Sequence, residues 1–145
     1  MTELEDSFVV PAAGSSARWV VGRPVDVHGD GSTHTVDVEL SDCGFTDHGR
    51  AAFEGRTSEN LREFLVALAQ DWRGWQGARS WTSMGQEMTV EAHHNGRSRV
   101  SLEITLRRAD LHHTPDAWSA QLFLTVEAGE ELRRIGDAAQ RFLHP

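Results

Sequence analysis

Three segments, QEMTVEAHH (86–94), RVSLEITLR (99–107) and WSAQLFLTVE (118–127), alternate apolar and polar residues with a period of two. Met88, Val90 and Ala92 share one face of the first. Val100, Leu102, Ile104 and Leu106 share a face of the second, and Trp118, Ala120, Leu122, Leu124 and Val126 a face of the third. Successive strand side chains point to opposite faces, so each segment reads as a strand with one buried and one wet face, the habit of antiparallel sheets. The HHNGR turn between the first two sets their register. A two-residue Asn95-Gly96 loop would set Val90 opposite polar Ser101, whereas a three-residue loop, His94-Asn95-Gly96 with Gly96 left-handed, sets Val90 opposite Val100 and Met88 opposite Leu102. The three-residue loop is the expectation.

Upstream, RWVVGRPVDVH (18–28) and HTVDVEL (34–40) alternate in the same way around a GDGS turn, with Val36, Val38 and Leu40 facing one way and Asp37 and Glu39 the other. GFTDHGRAAFEG (44–55) makes a weaker third strand through Phe45, Ala51 and Phe53. Leu61, Phe64, Leu65, Leu68 and Trp72 then follow the i, i+3, i+4, i+7, i+11 spacing of a helical stripe, with Thr57 or Ser58 as its cap and Gly74 just beyond its end. Leu132, Ile135, Ala139 and Phe142 form a second stripe, with acids at its start and Arg141 near its end, as the helix dipole favours. The order βββ-α-βββ-α predicts an α+β fold, a roughly six-stranded antiparallel sheet with two amphipathic helices on one face. Residues 1–16 are expected to be loosely ordered apart from a short strand at Phe8–Val10. Residues 17–145 are expected to form a single domain, since a chain of this size buries roughly 70% of its unfolded surface.

Composition narrows the function classes. The single cysteine, Cys43, forms no internal disulfide, and MTELEDSF has neither a basic nor an apolar leader region, so a cytoplasmic location is expected. No apolar run or basic amphipathic helix suits a membrane. The sequence contains no lysine, which removes Schiff-base chemistry and the phosphate-binding lysines of nucleotide enzymes. The net charge is −8 and uneven: residues 1–56 hold 4 arginines against 10 acids, and residues 57–145 hold 10 against 12. That field repels nucleic acid and favours a basic protein partner.

The candidate partner-binding residues follow from this charge. Asp37 and Glu39 stand side by side on the outer face of one strand, with Asp42 and Asp47 close beyond it. Trp75 is the other candidate, in DWRGWQGARSW (71–81). There Trp72 belongs to the helix stripe and Trp81 enters the next strand, whereas Trp75 has no stripe to join and is flanked by Arg73 and Arg79.

No metal site is expected. The pairs His93-His94 and His112-His113 lie at opposite ends of a strand about 30 Å long and lack ligand spacing. DVHGDGSTHTVD (26–37) mimics a calcium loop but places His28 at a ligand position and has strand-like flanks. Cys43 and His48 lack a readable third group. GxSxG, GxGxxG, HExxH and CxxC are all absent. Neither a cofactor nor a catalytic set is expected.

The helix ending in DWRGW, the downstream tryptophan, the His-rich hairpin and the closing VEAGE helix together resemble a family of small uncharacterised actinobacterial domains over residues 57–135. That resemblance implies a fold and no established activity. Size, acidity and β-rich layout are more loosely similar to WapI-type immunity proteins, an analogy of architecture. The expected function is a non-enzymatic cytosolic binding protein, immunity-like, neutralising a basic toxin domain. The rivals are a small-ligand domain or enzyme with a pocket near Trp75, and a homodimerising structural module. The sequence does not set the oligomeric state.

Overall fold

The computed structural model describes residues 7–54, 60–107 and 118–143. Among these, nine strands and two helices follow in the order β1 (Ser7–Pro11), β2 (Arg18–Gly22), β3 (Val25–Asp26), β4 (Thr33–Asp42), β5 (Phe45–Glu54), α1 (Leu61–Gln70), β6 (Ala78–Thr82), β7 (Met88–His94), β8 (Arg99–Arg107), β9 (Ser119–Glu127) and α2 (Glu130–Phe142). The α+β class and antiparallel pairing are as the alternation requires. The strands, however, form two sheets rather than a single one of about six.

In the first sheet β2 pairs with β1 and β4, and β5 pairs with the other edge of β4. The segment 18–28, expected as one strand, is broken at Arg23-Pro24, and β2 and β3 pair with different stretches of β4. Proline lacks the N–H that would continue the ladder. The second sheet is a meander, β6-β7-β8-β9. Its extra member, β6, takes Trp81 out of the β7 segment and sets it opposite Val90.

Single backbone hydrogen bonds tie the sheets at both margins. Ala13 N–H donates to the Thr125 carbonyl of β9 at 2.7 Å, and Met84 N–H donates to the Ala52 carbonyl of β5 at 2.8 Å. One core cluster collects the inward residues of both sheets and both helices. The helices pack mainly on each other, and α2 also touches β1 and β9. The helix crossing is tight, since a Cβ on Gly136 would lie 2.5 Å from Ala69 Cβ. No helix among the described residues is long and apolar enough to cross a membrane.

The β7–β8 register differs from the expected one: Val90 faces Ile104 and Met88 faces Leu106. The turn sits two residues further along, where Gly96 has φ +80° and the Asn95 carboxamide oxygen accepts N–H bonds from Arg97 and Arg99. Both registers keep apolar residues opposed, so alternation alone could not separate them.

The α1 cap is Asn60, whose side chain accepts the Glu63 N–H at 2.9 Å; Thr57 and Ser58 lie outside the described residues. Trp72 lies beyond the helix end at Gln70 and is half-buried. Trp118 is exposed rather than inward. Trp19 has no exposure at all and stands in register with Leu40 on the inner face. Near the N-terminus, the expected short strand at Phe8–Val10 is present within β1, which pairs with β2 along its length and buries Val10.

Candidate functional site

The outer face of the first sheet holds two of the expected partner residues, and each has a basic neighbour directly across the strand pair. Asp37 faces Arg50, with Oδ1 3.1 Å from Nε, and Glu39 faces His48, with Oε1 3.7 Å from Nδ1. The Arg50 guanidinium thereby offsets the charge of Asp37. Asp42 accepts the Ser16 hydroxyl at 2.6 Å and the Cys43 N–H at 2.7 Å. These bonds, the serine's foremost, hold its carboxyl below the ordinary value. Its work is to anchor the β1–β2 turn. Asp47 stands opposite buried Leu40, and directly opposed residues share a face, so it points to the inner side, away from Asp37 and Glu39. The four acids are therefore not one patch.

Trp75 is half-buried and held from three sides. Its Nε1–H donates to the Ala92 carbonyl at 3.4 Å, its ring meets His94 edge-on at 5.3 Å, and the Arg79 guanidinium lies 4.9 Å from the ring centroid. Arg79 also pairs with Asp71 at 2.6 Å. The corner is thus a built joint between the end of α1 and the second sheet. The two histidines at positions 93 and 94 point to opposite faces, as neighbours on a strand must. His93 Nε2 is 3.0 Å from Glu91 Oε1 on the outer face, and His94 bonds the Trp72 carbonyl. His112 and His113 lie outside the described residues. In the calcium-like loop, Asp26 accepts the Gly29 and Gly31 N–H groups and Asp30 that of Ser32, so these carboxylates serve their own turn. Cys43 is exposed in the β4–β5 turn.

What the sequence reading did not single out is the outer face of the second sheet. One cross-strand row runs Ser80, Glu91, Glu103, Phe123 across β6 to β9. Phe123 is 67% exposed in the middle of a paired strand. Gln121 donates from Nε2 to Glu103 Oε1 at 3.0 Å. The β1–β2 turn, pinned by the Ala13–Thr125 bond, rises beside this row, and the two enclose a cleft of about 490 Å³. Ala12, Ala13 and Ser15 form one wall, and His93, Ser101, Glu103, Phe123 and Thr125 are among the remaining lining residues. Alternation would have placed Phe123 outward, but only the register brings Glu103 and the N-terminal turn to it.

Compared with known proteins, the chain matches the model of a family of unknown function (DUF6228) over residues 22–145. No curated protein and no solved structure matches it.

Proposed function

The chain belongs to that family of unknown function, and from the outer face of its second sheet we propose that it is a non-enzymatic, cytoplasmic binding protein for a basic protein surface. The observation that carries this reading is Phe123, a large aromatic left 67% exposed on a strand paired along its length with β8, with Glu103 directly opposite and Glu91 next in the row. An aromatic on a rigid sheet presents contact area at little entropic cost, and acids around it select basic partners and repel acidic ones. A role as an immunity-like inhibitor of a basic toxin domain is one instance of this chemistry.

A rival enzymatic reading has one feature in its favour, since Ser101 lies directly across from His93, itself held by Glu91. Ser101 sits on the central strand β8, whose backbone donors serve the ladders to β7 and β9, so converging N–H groups for an oxyanion are lacking there. Binding is the better account.

The test compares partner capture from host lysate by the native chain and by Phe123→Thr, a strand-compatible change at an exposed position. The reading expects partner loss with unchanged thermal stability. Equal capture by both forms would refute it.

A further inference from the structure

We infer that the cleft beside Phe123 is a receptor for a single cationic side chain, a guanidinium first of all, presented by the basic partner; this rests on the binding reading above. Three observations converge on it. Glu91 and Glu103 stand directly opposite each other on β7 and β8, an arrangement of like charges that costs stability unless a cation lies nearby. Among the described residues the side chain nearest the Glu91 carboxylate is His93, at 3.0 Å, Glu103 accepts from Gln121, and neither carboxylate pairs with an arginine.

The aromatic side of the cleft points the same way. Elsewhere this chain seats arginine over its aromatic rings: Arg79 on Trp75, Arg73 and Arg133 on Trp72, and Arg23 on Phe142, all 4.9–5.3 Å from the centroid. Phe123, far more exposed than those rings, has no such cation among the described residues. The cleft volume, about 490 Å³, exceeds what one side chain occupies and leaves space for the adjoining backbone. A guanidinium lying against the Phe123 ring could donate to Glu103 while its charge relieves the Glu91–Glu103 repulsion. A planar fork suits that pair of tasks better than an ammonium.

The experiment titrates the full chain with N-acetyl-arginine amide, following the backbone amide resonances of Glu91, Glu103 and Phe123. N-acetyl-citrulline amide, the neutral isostere, is the control. Saturable shifts centred on these residues with the arginine compound and none with citrulline are expected. Glu103→Gln should weaken binding by about tenfold, as the loss of one charge-assisted hydrogen bond would. Equal responses to the two compounds, or an unchanged affinity in Glu103→Gln, would overturn the inference. Failure here is separable from failure of the binding reading. Partner capture that depends on Phe123 while the arginine compound does not bind leaves the binding face standing and removes the cation receptor.

Discussion

His94 on β7 donates from Nε2 to the carbonyl oxygen of Trp72 at 2.8 Å, joining residues 22 positions apart. Its Nδ1 accepts the Gly96 N–H at 2.9 Å. A carbonyl can only accept and an amide N–H can only donate, so both bonds together require the neutral ring with its proton on Nε2. One histidine thus holds the end of α1, the edge-on Trp75 ring and the β7–β8 turn in a single joint. His94→Ala should cost on the order of 1–3 kcal/mol, because it strands the Trp72 carbonyl and frees Trp75. Urea unfolding followed by tryptophan emission checks this, and an unchanged midpoint would show that the joint adds nothing.

The tryptophans should rank by enclosure rather than by position in the DWRGW stretch. Trp19→Ala removes a ring with no exposure and should cost about 3–5 kcal/mol. Trp72→Ala and Trp75→Ala, each removing a half-buried ring, should cost less. Denaturant midpoints of the three variants decide the order, and it fails if either half-buried ring proves the costlier.

Gly136→Ala tests the helix crossing. In an open helix this change stabilises by up to about 1 kcal/mol through propensity. Here the new methyl would lie 2.5 Å from Ala69 Cβ, so overpacking of roughly 1–3 kcal/mol should win and lower the melting temperature. The double change with Ala69→Gly should recover part of the loss. A single variant more stable than the native chain would show that the helices can part freely.

Stability should also fall in acid as carboxylates held low in the fold take up protons. Asp42 is held low by the Ser16 hydroxyl and the Cys43 N–H, and Glu127 mainly by the Glu131 N–H at the start of α2. A carboxyl whose folded pKa lies below its unfolded value stabilises the fold above the unfolded value, about 4, and loses that contribution as pH falls through the folded one. Asp42→Asn and Glu127→Gln should each flatten the decline of the melting temperature below about pH 5. Slopes matching the native chain in both variants would contradict this assignment.

Reversal of the paired acids, Asp37→Arg with Glu39→Arg, should leave the fold cooperative, because the exposed pairs with Arg50 and His48 contribute little. It should also leave partner association nearly unchanged, in contrast to Phe123→Thr. Association rates at low and high salt provide the measurement. A large slowing would return the partner surface to the first sheet.

The sequence by itself determined which residues face inward along most strands and helices. Side-chain direction repeats every two residues in a strand and every 3.6 in a helix, so Val36, Val38, Leu40, Leu65, Leu102 and Ile135 are legible from spacing alone. Trp19 and Phe123 obey the same alternation, one inward and one outward, although nothing local marked either as decisive. Only the tertiary structure decided what stands opposite what. Asp47 turns inward because it pairs with Leu40, and the β7–β8 turn is centred by bonds from Asn95 that alternation does not encode. The candidate site depends on the same kind of fact. Glu91, Glu103 and Phe123 come into one row, with Ala12 and Ala13 beside it, through pairings between distant segments, and strand register is set by the fit of the whole sheet rather than by any short stretch of chain.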